Sequence, residues 1–194
     1  MRTLSLIEFL TLDGVMQGFG SPGEDRDGGF EHGGWGAAYA DRVQADGAAE
    51  AAPGASAYLF GRRTYEKMNA FWPHRSDDDP IAASLNNTPK YVATRTLRPA
   101  DVTWEHARIL DGDLVPAVRR LKEEGDGGIA ALGSGVLAQE LIRHDLVDGY
   151  HLYVHPLVMG TGKRLFREYE HPLRLRLTGC SQTGTGVLVL SYAV

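Results

Sequence analysis

The residues with chemistry to offer sit at three junctions in the chain. Residues 129–135, Ile-Ala-Ala-Leu-Gly-Ser-Gly, carry a short apolar run into helical spacing. Glycines at a strand-to-helix turn let backbone N–H groups approach an oxyanion closely, and the helix N-terminus adds partial positive charge. Gly61-Arg62-Arg63-Thr64 repeats the arrangement after the apolar run "YLF". The third junction, "ATRTLR", holds Thr94, Arg95, Thr96 and Arg98. In a parallel sheet the carboxyl ends of the strands share one rim, where open α/β sheets bind ligands. Two glycine turns and four arginines on that rim match a phosphorylated dinucleotide. N–H groups serve a pyrophosphate, and the planar fork of arginine serves a ribose 2′-phosphate. Turns whose glycines serve only close packing, flanked by solvated arginines, carry the same letters.

Two other phosphate motifs are excluded by context. Gly133 to Ala138 fits G-x-G-x-x-[GA]. A Rossmann unit, however, opens its fold with that motif and ends the next strand in an acidic residue. Here the next strand ends in His155-Pro156, and no Gly-Lys-[Ser/Thr] follows the turn to make a P-loop.

The elements that position these junctions follow from periodicity and punctuation. Strands are predicted over residues 2–10, 56–61, 90–97, 103–110 and 129–132 and within "DGYHLYVHPLV", 148–158, with a hairpin of 173–181 and 186–194 joined through "QTGTG". Helices are predicted over 37–52, from Arg62 onward, over 77–87 with acidic residues near its start and Pro80 in its first turn, from an Asp113 N-cap to a Gly125 stop, and over 135–144. Val136, Leu137, Leu141 and Ile142 are spaced to form the inward face of the last helix. Strand 173–181 alternates and reads as half-buried, with Cys180 a buried, inert thiol. Residues 11–36 hold nine glycines and read as a long loop that serves as a lid. The order predicts one α/β domain, 1–194, with a mostly parallel sheet, helices covering it, and an antiparallel hairpin at one edge.

Composition sets outer bounds. The 194 residues suffice for one full core, and a formal net charge of -5 argues against a general nucleic-acid binder. A single cysteine excludes an internal disulfide and a cysteine-based zinc site. No apolar run approaches the roughly 20 residues that span a membrane. The first ten residues lack a signal-peptide pattern, so a cytoplasmic location is expected.

"LDGVMQG", "LFGRRTYE", "ATR", "ALGSG" and "DGYHLYVHPLVMGTGKRLF" together resemble the dihydrofolate-reductase-like fold. They are most similar to the reductase domain of the riboflavin-biosynthesis deaminase–reductase and its stand-alone relatives. The resemblance implies a three-layer α/β architecture around an eight-stranded sheet, NADPH as hydride donor, a small-molecule substrate and a homodimer. It implies that Gly61, Arg62, Arg63 and Thr64 line the cofactor phosphates and that Thr94 and Arg95 meet the 2′-phosphate. By the same resemblance Gly133, Ser134, Gly135, Val136 and Leu137 wrap the pyrophosphate and the nicotinamide side. Asp13 and Gly14 begin the loop over the nicotinamide. Asp41, in preference to Asp46, is the carboxylate expected to hold the substrate heterocycle. One cysteine cannot supply the zinc site of the deaminase half, so deamination is not expected.

The activity these residues imply is that of an NADPH-dependent oxidoreductase resembling 5-amino-6-(5-phosphoribosylamino)uracil reductase. A dihydrofolate or pteridine reductase and a non-catalytic NADP(H)-binding module are the alternatives. Asp13, Asp41, Glu31 and His155 are candidate proton donors or relays, and Trp35, Phe71 and Trp72 are candidates for an apolar wall beside a planar substrate.

Overall fold

The computed structural model describes residues 1–40, 55–167 and 171–194. Eight strands form one sheet in the order β4-β3-β2-β5-β1-β6-β8-β7. They are β1 (Thr3–Thr11), β2 (Ala55–Gly61), β3 (Lys90–Ala93), β4 (Ala107–Ile109), β5 (Gly128–Leu132), β6 (Gly149–His155), β7 (Arg176–Gln182) and β8 (Leu188–Ala193). The pairings from β4 across to β6 are parallel, and β8 joins β6 and β7 antiparallel. Four α-helices among the described residues cover the sheet: α1 (Arg62–Phe71), α2 (Pro80–Asn87), α3 (Leu114–Glu123) and α4 (Gly135–Arg143).

Period-2 alternation sends each strand's side chains to two separate cores. Leu4, Leu6 and Leu10 of β1 join Val118 and Leu121 of α3 and Leu137, Leu141 and Ile142 of α4 on one face. Ile7 of β1 joins Tyr65 of α1 and Leu85 of α2, with Trp104, on the other. Helices therefore lie on both faces, as expected of a dihydrofolate-reductase-like, three-layer α/β fold. No helix among the described residues is long and apolar enough to cross a membrane.

Local chemistry fixes the helix starts. Asp79 caps α2 by accepting from the N–H groups of Ile81 at 2.9 Å and Ala82 at 3.4 Å, with Pro80 in the first turn. Asp113 occupies the N-cap of α3 without a side-chain capping bond. Gly125, with φ +81°, follows the last turn of α3 as the expected stop.

Several expectations need correction. β3 stops at Ala93, because the Thr94 hydroxyl accepts from the N–H groups of Thr96 and Leu97, both at 3.1 Å, and turns the chain. β4 spans only Ala107–Ile109. Trp35–Tyr39 is a 3-10 turn, and the rest of the helix predicted over 37–52 lies outside the described residues from 41 onward. β7 is not half-buried: it is the edge strand and is exposed along nearly its whole length. Cys180 on it is exposed, not buried, because among the described residues nothing covers either face of the strand well enough to bury alternate residues. Val136 also leaves the inward stripe of α4, at 73% exposure, while Leu137, Leu141 and Ile142 remain inside.

Candidate active site

β2 and β5 are neighbours, and the chain leaves them toward opposite faces. From Gly61 it enters α1, which packs on the Tyr65 side, and from Gly133 it enters α4, which packs on the Leu141 side. Such a divergence opens a crevice at the carboxyl ends of the strands, the switch point at which open α/β sheets bind ligands. A cleft of about 860 Å³ lies there. That volume falls within the usual range for small-molecule and cofactor sites.

One side chain laces the two corners together. Ser134, at φ +68°, accepts a hydrogen bond from Gly61 N–H at 2.8 Å and donates to Thr64 Oγ1 at 2.6 Å. The approach is close enough that a Cβ on Gly61 would stand 3.1 Å from Ser134 Cβ and Oγ. Gly135 is equally confined, since a Cβ there would overlap the Met16 side chain. Both corners thus present backbone to the cleft, beside the first turns of two helices.

Gly61, Arg62, Arg63, Thr64, Thr94, Arg95, Gly133, Ser134, Gly135, Val136 and Leu137 all line this cleft. The exposed Val136 is explained by that position. Arg98 is not among the lining residues: its guanidinium is held by Asp101 at 2.9 Å. Sequence reasoning missed three further cations at the cleft, Lys67, Lys163 and Arg167. It also missed the apolar wall, which is built from Phe9, Met16, Phe19 and Met68. Trp35, Phe71 and Trp72 do not line it. Trp35 is buried against Phe19 and His155, Phe71 is exposed at the end of α1, and Trp72 donates to Met68 Sδ at 3.2 Å.

The loop after β1 is strapped to the cleft by ions. Asp27 meets Arg63 at 2.8 Å and Lys163 at 2.7 Å, and Asp25 meets Lys163 at 2.7 Å. The Lys163 hydrogen bond, then Arg63, lower the Asp27 pKa to about 2. Burial works against the charge on Lys163, but the two carboxylates outweigh it and raise its pKa above the ordinary lysine value. Lys67 adds a bond to the Glu24 carbonyl at 2.6 Å.

The proposed acids fall in different places. Asp13 and Gly14 do not line the cleft. The Asp13 carboxylate accepts from Thr11 Oγ1 at 2.7 Å and from the N–H groups of Met159 and Gly160 at 2.9 Å, and it pairs with Arg164 at 3.3 Å. The Thr11 and Met159 bonds lead in holding its pKa far below the usual carboxylate range. Its geometry is that of a staple between the loop and the segment after β6. His155 is fully buried with Nδ1 3.0 Å from the carbonyls of Leu10 and Tyr153, and burial lowers its pKa. Glu31 borders a separate, smaller pocket of about 330 Å³. Asp41 and Asp46 lie outside the described residues.

A buried carboxyl at the cleft escaped the sequence reading. Glu8, on β1, lines it and is only 4% exposed, and its Oε1 has no hydrogen-bond partner among the described residues. Burial raises its pKa to about 8. The signal was present in the alternation Leu4, Leu6, Glu8, Leu10, which places an acid on the apolar face of a central strand.

The fold defines a dihydrofolate-reductase-like α/β protein with a cleft at its switch point. Residues 2–189 match the family model described as the RibD C-terminal domain, and the chain belongs to that family. Uncharacterized protein YyaP of Bacillus subtilis is 26% identical over 137 residues, covering 69% of this chain and 71% of that protein. The solved structure of a putative riboflavin biosynthesis protein from Shewanella sp. PV-4 superposes with a TM-score of 0.69 at 18% identity, covering 99% of this chain and 98% of that one. A Thermotoga maritima diaminohydroxyphosphoribosylaminopyrimidine deaminase/5-amino-6-(5-phosphoribosylamino)uracil reductase superposes with a TM-score of 0.64 at 16% identity. This chain is fully covered and corresponds to 57% of that longer one.

Proposed function

We propose that the protein is a nicotinamide-dinucleotide reductase that prefers NADPH and acts on a ribosylamino-pyrimidine or a related heterocycle. The observation that carries the reading is the pair of glycine corners, Gly61 and Gly133-Ser134-Gly135, joined through Ser134 on the wall of one cleft. A dinucleotide fits these residues. The Gly61 and Gly133 N–H groups are spent on Ser134 Oγ and the Ile7 carbonyl, so the N–H donors for a pyrophosphate are those of the first turns of α1 and α4 that the corners bring to the cleft, and Arg62, Arg63 and Arg95 stand on the same rim. Phe9 and Phe19 supply apolar surface for flat rings. When bound, a reduced nicotinamide supplies the hydride, and the protein's part is to orient the reactants and limit water at the reacting atoms. The family and the activity named for the Thermotoga maritima neighbour favour a pyrimidine acceptor.

The test is a titration with NADPH and with NADH followed by nicotinamide fluorescence. Arg63→Ala and Arg95→Ala are expected to weaken NADPH by about 10- to 100-fold, the worth of a charge-assisted hydrogen bond, and NADH far less. Equal losses for both cofactors refute recognition of a 2′-phosphate, and no binding of either refutes the reductase reading.

A further inference from the structure

β1 is a central strand, flanked by β5 and β6. Alternation puts Glu8 between Leu6 and Leu10 on the face covered by α3 and α4, opposite Leu152 of β6. It is 4% exposed, its Oε1 has no partner among the described residues, and it still forms part of the cleft wall. Ile7, the residue before it, pairs with Leu132 of β5, which is followed at once by the Gly133-Ser134-Gly135 corner. The group therefore sits one strand away from the corner assigned to the cofactor.

Arg119, Arg120 and Glu123 of α3 are exposed, and other charged groups on or beside the elements that cover this face have partners of their own. Lys122 of α3 pairs with Asp148, Glu140 of α4 with Arg143, Lys163 with Asp25 and Asp27, and Arg164 with Asp13. Glu8 is 4% exposed and, among the described residues, no cation pairs with it, so burial favours the neutral acid. A structural role gives no reason for an acid here, since a leucine or methionine would fill the same place without the cost of burying a polar group.

We propose that Glu8 is the acid of the site, held protonated at the cleft wall and giving the proton of its carboxyl to the nitrogen or oxygen of the acceptor. The proposal rests on the reductase reading above and names its proton source. As the acceptor carbon takes a hydrogen with two electrons from the reduced nicotinamide, the π pair of its C=N or C=O bond passes to the heteroatom. The proton from Glu8 completes the valence there. The carboxylate left behind regains a proton from water that enters the open cleft.

The experiment has one arm independent of turnover. The carboxylic-acid carbonyl band in the infrared difference between wild type and Glu8→Gln is followed from pH 5 to about 10, a window chosen to bracket a raised carboxyl pKa. A band present at neutral pH that disappears with a midpoint near 8 supports the proposal. Its absence at neutral pH overturns it. In the second arm NADPH is titrated, and its oxidation is measured with 5-amino-6-(5-phosphoribosylamino)uracil. Glu8→Gln is expected to bind NADPH as wild type does and to lose roughly 100-fold or more in kcat, as removal of a general acid does. Glu8→Asp, which keeps an acid, is expected to recover part of the rate. A Glu8→Gln variant as fast as wild type overturns this proposal alone. A wild-type protein that leaves NADPH unbound or unoxidised overturns the reductase reading and the acid's role together.

Discussion

Replacing Ser134 tests the joint on which the cleft depends. Ser134→Ala removes both the bond accepted from Gly61 N–H at 2.8 Å and the bond donated to Thr64 Oγ1 at 2.6 Å. Each ordinary hydrogen bond is worth about 0.5–1.5 kcal/mol net, so the loss is about 1–3 kcal/mol. Ser134→Gly removes the same two bonds but relieves a backbone at φ +68°. An L side chain there costs about 1–2 kcal/mol, and glycine gives back about 0.5–1 kcal/mol in chain entropy. The glycine variant is therefore expected to be more stable than the alanine variant by up to about 1.5 kcal/mol, and the alanine variant less stable than wild type. For a chain of this size each kcal/mol moves Tm by about 2–4 °C, so Ser134→Ala melts roughly 2–12 °C below wild type. Urea unfolding with an unchanged slope and thermal melting measure the order directly. An alanine variant as stable as wild type, or a glycine variant less stable than alanine, refutes the lacing and the strain argument respectively.

Two further outcomes follow from the carboxyls. Asp13→Asn is expected to destabilise the fold by about 1–2 kcal/mol at pH 7, since it weakens the acceptor bonded to Met159 and Gly160 N–H. Because the folded Asp13 pKa is depressed, that contribution is full above the ordinary value near 4 and fades below it. The difference between Asp13→Asn and wild type in urea unfolding should thus shrink on acidification, and a constant difference rejects the staple. Glu8 has the opposite sign: its pKa is raised to about 8, so the folded state holds a proton that the unfolded chain releases near 4. Wild type should lose stability as pH rises between those values, by up to about 1.4 kcal/mol per unit, and Glu8→Gln should lack that slope.

The corners were legible because each is written locally. An apolar run meets a glycine and then helical spacing, and the geometry of such a junction depends on few distant contacts. The parallel sheet was legible from the alternation of those runs with helices. The exposure of β7 was not, because alternation on an edge strand is meaningful only where something covers one face, and that is decided by tertiary structure. β3 was drawn too long because the Thr94 hydroxyl competes for the backbone of Thr96 and Leu97, a local effect hidden under apparently favourable strand residues. The cations from Lys67 to Arg167 were missed because the cleft is assembled from segments far apart in the chain. Glu8 was missed for another reason: its signal is a single polar letter in an apolar period, and attention to glycine and arginine passed over it.

The glycine-rich segment after β1 shows why residue counts mislead about motion. Nine glycines between residues 11 and 36 suggested a lid that swings. In the structure several of them are places of contact. A Cβ on Gly36 would overlap the Phe19 ring, and one on Gly33 would stand 2.7 Å from the Pro22 carbonyl oxygen. Phe19 in turn stacks on Phe9 at 4.3 Å and lies edge-on to Trp35 at 5.2 Å, with buried His155 beside both. Trp35 Nε1 donates to the Gln17 carbonyl at 2.8 Å. The ion pairs of Asp27 and Lys163 on the rim are exposed and screened, and such pairs add little to stability. The packed aromatic rings, which bury large apolar areas, are the stronger tie. The segment is therefore held from its inner side, at Phe19 and Trp35. Its acidic outer side, at Asp25 and Asp27, is the part bound by forces weak enough to yield to a competing anion.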